Sequence, residues 1–136
     1  MQAKPLVLDT NIVLDVWVFN DAKTALLKQA IETGEFEWLA TKAMRDELER
    51  VLAYPKIASR LHFYKLIAED VLGKFDCHAK LIDVAPKAHA TCTDADDQKF
   101  IDLAVVHQAL LLSKDNAVTS MAKRLVVLGV RARVAM

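Results

Sequence analysis

The chain has 136 residues, 18 basic and 18 acidic side chains, and 54% hydrophobic residues. That length predicts one domain spanning 1–136 with roughly two thirds of its unfolded surface buried, and the balanced charge leaves only a local patch or a bound cation as a means of holding a polyanion. No run approaches the ~20 apolar residues of a membrane span, the N-terminal run is too short for a signal-peptide core, and Cys77 and Cys92 lack CxxC spacing or a disulfide framework, so a cytoplasmic protein with reduced thiols is expected.

Taken in order, "KPLVL" (4–8) predicts a short buried strand, and residues 21–35 a helix with Gly34 at its left-handed cap. "FEWLA" (36–40) predicts a second strand. Thr41 stands as N-cap to a helix over 42–54, stopped by Pro55. Residues 56–82 read as helical in two or more pieces, with a break at Gly73, and "LIDVA" (81–85) as a short strand. A loop over 87–93 leads to Thr93 or Asp94, the cap of a helix over 95–109. "LLLS" (110–113) predicts a strand, 117–129 a helix ending at Gly129, and 130–135 a last strand. Strands alternating with helices predict an α/β/α sandwich, a parallel sheet covered on both faces. Ligands in such folds sit beyond the carboxyl ends of the strands, the edge reached by Asp9 and Asp115.

Helix phase sorts the remaining acids. In 42–54 the inward stripe is Met44, Leu48, Val51 and Leu52, and Glu47 lies about 60° from Met44, at the border of that stripe. Asp46 and Glu49 point to water. In 95–109, Ile101, Ala104 and Gln108 stack within about 40° of Asp97, which starts the buried face, whereas Asp102 is about 140° away and expected in solvent. Asp9, Glu47, Asp97 and Asp115 remain. Each alone has an ordinary explanation as a cap, a surface glutamate, a helix-dipole partner or a turn residue. Together on one edge they do not. Two unit charges 4 Å apart repel by about 4 kcal/mol at an effective dielectric of 20, so such acids hold protons or bind a cation. An all-oxygen set favours Mg²⁺ or Mn²⁺, and such ions activate water and stabilise the leaving oxygen of a phosphodiester, which is nuclease chemistry. Gly34, Gly73 and Gly129 build no phosphate-binding loop, which argues against an ATPase or a dinucleotide enzyme. The Cys and His residues lack zinc-ligand spacing.

"VLDTNIVL", "ATKAMRDELERVL", "DADDQKFIDLA" and "LLLSKD", in that order, resemble the PIN-domain family, closest to the bacterial toxin components of toxin–antitoxin systems. The resemblance covers Lys4 to about Val134. It implies a metal-dependent ribonuclease with an acidic quartet on a five-stranded parallel sheet, carried here by Asp9, Glu47, Asp97 and Asp115 as catalytic and metal-binding residues. It also implies a serine hydroxyl at Ser113, an RNA substrate, an antitoxin partner and a homo-oligomer. One departure is Ala117, where members often carry a further acid; this bears on a second metal ion. Two other readings stay open: a degenerate PIN fold that binds protein or RNA without catalysis, and an aspartyl-nucleophile phosphatase, against which stands Asn11 where a second aspartate is wanted. Asp15, Asp94 and Asp96 read as cap or rim, with Asp94 and Asp96 able to stand behind the cluster. Trp17, Trp38 and Phe63 read as packing. The cations Lys42, Arg45, Arg50, Lys56 and Arg60 read equally as a solvated face or as phosphate contacts.

Overall fold

A computed structural model describes residues 3–134. The strands are β1 (Lys4–Leu8), β2 (Phe36–Ala40), β3 (Ala79–Leu81), β4 (Leu110–Leu112) and β5 (Ala132–Arg133). The helices are α1 (Thr10–Trp17), α2 (Ala25–Glu32), α3 (Lys42–Leu52), α4 (Pro55–Phe63), α5 (Ala68–His78), α6 (Gln98–His107), α7 (Asn116–Thr119) and α8 (Ala122–Val127). All strand pairs are parallel, in the order β3-β2-β1-β4-β5. Leu6, Val7 and Leu8 are successive yet all buried, as are Leu111 and Leu112. Side chains alternate across a strand, so consecutive burial requires cover on both faces, the three-layer α/β/α arrangement expected of a parallel sheet. Among the described residues no helix is long and apolar enough to cross a membrane.

The chain winds outward from β1 through β2 to β3, then returns to lay β4 against the free side of β1. The strand order reverses between β1 and β4, and the crevice beyond their carboxyl ends is where this topology places ligands. The β1–β4 ladder runs to its last bond there: the Asp9 N–H donates to the Leu112 carbonyl at 3.0 Å. This aligns the residue after β1 with the residue after β4.

Several elements differ from the sequence expectation. Helix α1 is not visible as a periodic pattern, because every residue in it except Asn11 is buried and no polar face marks it. The helical stretch after Pro55 breaks at Tyr64–Ile67, not at Gly73. Lys65 adopts the left-handed conformation (φ 58°), while Gly73 lies inside α5. Pro55, which ends the preceding helix, also opens α4 at its first turn, where a missing N–H costs nothing. Strand β3 is Ala79–Leu81, two residues ahead of 81–85. The helix expected over 117–129 is two short ones, although Gly129 caps it with φ 83° as expected. The last strand keeps only Ala132–Arg133, and position 135 lies outside the described residues. Trp17 and Trp38 are core residues stacked at 5.1 Å, but Phe63 is 75% exposed.

Candidate metal centre

Three of the four acids meet. Asp9 caps α1 directly after β1, Asp115 caps α7 after β4, and Asp97 closes a single 3-10 turn (Ala95–Asp97) that leads into α6. One carboxylate oxygen from each lies within 4.8 Å of the others. Asp9 and Asp97 are 4% and 7% exposed, so their charges are largely removed from water. Repulsion between each pair at this spacing is about 3 kcal/mol at an effective dielectric of 20.

Two of these carboxylates are held by hydrogen bonds, one of them reaching across the chain and the others local. The Ser113 hydroxyl donates to Asp9 Oδ2 at 2.6 Å, and the Asn11 N–H reaches Asp9 Oδ1 at 3.4 Å. Ser113 Oγ accepts in turn from the Asp115 N–H at 3.0 Å, while the Ala117 N–H holds Asp115 Oδ1 at 2.8 Å. Ser113 is thus the link between the two strand ends, and only 1% of its surface is exposed. Asp9 fulfils its ordinary capping role and joins the cluster at once. Burial pushes the Asp9 carboxyl up, against the Ser113 and Asn11 bonds that lower it, with the charges of Glu47 and Asp115 adding to the rise.

Asp97 is different. Its Oδ2 is buried and has no hydrogen-bond partner among the described residues. Two ionised carboxylates have no hydrogen to share, so Asp97 and Asp115 can bond only if one takes a proton. Burial, that shared proton, and the charges of Asp9, Asp115 and Asp94 push the Asp97 carboxyl up to about 7. A buried oxygen without a donor and a carboxyl inclined to hold a proton both mark a place for a cation. The set is all oxygen, the donor chemistry that a hard divalent ion such as Mg²⁺ prefers. The residues present fit a hard divalent ion.

Glu47 stands beside this trio and is not one of it. The Thr10 hydroxyl donates to Glu47 Oε2 at 2.5 Å and the Lys99 ammonium to Glu47 Oε1 at 3.0 Å. Helix phase brought Glu47 to the site edge, but not its partners. Lys99, two residues past Asp97, is the residue the sequence reading passed over. Its only sequence signal is its position inside "DADDQKF".

Other expectations are corrected here. Asp15 is not at the rim: it is 6% exposed and paired with Lys114 at 2.6 Å. Asp102 is not in open solvent; it accepts from the Ala88 N–H and from Gln98, tying the 87–92 loop to α6. Gln108, expected on the buried face, is an exposed left-handed C-cap. Asp94 caps the 3-10 turn through the Asp96 N–H, and Asp96 is exposed. Lys42 and Arg45 are engaged by Asp46, Glu49 and Asp76.

A 3-2-1-4-5 parallel sheet gathers three aspartates at its switch point, a donor set that fits a divalent ion. The chain belongs to the PIN domain family, whose profile matches residues 5–117. PIN domains are generally nucleases that use divalent metal ions. No curated protein matches the chain closely enough to stand as a relative.

Proposed function

We propose that the chain is a Mg²⁺- or Mn²⁺-dependent endoribonuclease that hydrolyses RNA phosphodiester bonds. In this reading residues 1–136 form one nuclease domain, and Asp9, Asp97 and Asp115 are its metal ligands. Glu47 completes the acidic quartet and positions the attacking water. The observation that carries the reading is the convergence of three buried or half-buried carboxylates, one of which, Asp97, has a buried oxygen with no donor among the described residues. A divalent ion bound there supplies water activation and charge stabilisation at the leaving oxygen. The chain's own residues supply order. Ser113 fixes the rotamer of Asp9, the Ala117 N–H fixes Asp115, and Thr10 with Lys99 holds the Glu47 carboxylate toward the site.

The four motifs that resemble bacterial toxin components support a narrower reading. The chain is the toxin of a toxin–antitoxin pair, restrained by a small antitoxin protein, self-associating and acting in the cytoplasm. Production of the chain alone is expected to arrest growth, and co-production of the product of the neighbouring reading frame to restore it.

The decisive experiment is cleavage of a structured RNA by purified protein with and without Mn²⁺. Asp9→Asn and Asp97→Asn are expected to reduce metal-dependent cleavage to background while melting cooperatively. Undiminished cleavage by either folded variant overturns the assignment.

A further inference from the structure

The fourth acid carries more information than its absence from the trio. Both Glu47 oxygens are taken, one by a hydroxyl beside Asp9 and the other by an ammonium two residues from Asp97. Lys99 is held at three points: on Glu47, on the Asp96 carbonyl, and over the Phe100 ring at 4.9 Å from its centroid. Its side chain is 27% exposed and that of Glu47 18%, so the pair is shielded from most of the screening that weakens surface ion pairs. Fixing a lysine in this way costs side-chain entropy, and three anchors offset that cost where one would not.

We propose that Lys99 is a positioning residue whose ammonium takes the place of a second cation, so that the site binds one divalent ion and no more. The inference rests on the metal-binding reading of Asp9, Asp97 and Asp115. A second ion would have to lie about 3.5–4 Å from the first and be held by oxygens of its own. What bars it is charge: an accepted hydrogen bond leaves a carboxylate oxygen a lone pair for a metal, as at Asp9, whereas an ammonium 3.0 Å from Glu47 Oε1 repels a second cation. Position 117 contributes backbone and no carboxylate. The positive charge that would relieve repulsion between Glu47 and Asp9 is already supplied by the chain itself. Lys99 also draws Glu47 toward α6 and leaves the aspartates to the ion, so Glu47 acts through water and not as a direct ligand.

Mn²⁺ binding to metal-free protein, followed by titration calorimetry and by counting bound Mn²⁺ spectroscopically, tests this without reference to activity. The unaltered chain is expected to saturate at one ion. Lys99→Met and Lys99→Gln remove the positive charge beside Glu47 Oε1 and are expected to take up a second ion. Lys99→Arg keeps the charge and should stay at one, as should the double variant Glu47→Gln/Lys99→Met, which lacks the carboxylate a second ion needs. Two ions bound by the unaltered chain, or a single ion in folded Lys99→Met and Lys99→Gln, overturns the role of Lys99 while leaving the three-aspartate site intact. Failure of the unaltered chain to bind Mn²⁺ at millimolar concentration overturns the metal reading, and this inference with it.

Discussion

The two ends of the same strands carry opposite charge under opposite conditions. At the amino ends of β1, β2 and β4, and along β5, a cavity of about 460 Å³ is lined by Lys4, Glu35, Arg131 and Arg133 with Pro5, Phe36, Gln108 and Leu110. All four charged residues are exposed, so their head groups keep their water at almost no cost. At the carboxyl ends, three aspartates sit within 4.8 Å of one another, two of them nearly inaccessible. The amino-end cavity is therefore not the informative feature. What separates a site from a dent is charge that has been taken out of water and left uncompensated.

This contrast can be broken in three ways, the largest effect first. Ser113→Ala removes the hydroxyl that holds Asp9 Oδ2 and links it to Asp115. Loss of such a supporting bond typically weakens metal binding by about 10–100-fold, and Mn²⁺ titration should show a fall of that order with little change in global fold. An unchanged affinity would mean that Asp9 is not held for a metal.

A smaller effect is expected in the pH dependence of the metal-free protein. The folded Asp97 carboxyl is raised from 3.8 to about 7, so between those values the folded chain holds a proton that the unfolded chain has released. Its contribution to stability is full below about pH 4 and declines as pH rises to about 7. Asp97→Asn cannot titrate and should flatten the decline, so the two proteins' melting temperatures should diverge in favour of the variant toward neutral pH. Saturating Mn²⁺ should raise the melting temperature of the unaltered chain near neutral pH and leave that of the variant nearly unmoved. Parallel pH profiles without metal would place the Asp97 carboxyl in an ordinary, solvated environment.

The smallest effect is expected at the opposite edge. Arg131→Ala and Arg133→Ala remove exposed charges and should each change stability by no more than about 0.5 kcal/mol in denaturant titration. A cost of several times that would show the amino-end cavity to be as tightly built as the carboxylate cluster.

How much of this was legible in the sequence varies by element. The strands at 4–8, 36–40 and 110–112 were plain because each ends in a run of apolar residues, Leu6–Leu8, Trp38–Ala40 and Leu110–Leu112, as a strand covered on both faces requires. Helix α1 was hidden for the same reason, since Ile12, Val13, Leu14 and Val16 are buried and leave no amphipathic contrast to count. The turn between α4 and α5 was misplaced. A lysine in the left-handed region carries no local signal, whereas Gly73, the visible breaker, simply continues its helix, where an added Cβ would meet nothing within 4 Å. Asp9 and Asp115 could be placed from the strand ends they follow, and Asp97 from helix phase, even though it belongs to the 3-10 turn before that helix.

The sequence by itself determined which acids stand where strands end and helices begin, because local periodicity and caps are properties of neighbouring residues. Only the tertiary structure decided what those acids touch. The Ser113 bond to Asp9 spans 104 positions along the chain, and the Lys99 and Thr10 bonds to Glu47 span 52 and 37. Contacts of that reach are made by sheet order and packing, which no short window of residues encodes. They separated three aspartates that pair with no lysine or arginine among the described residues from a glutamate paired with Lys99.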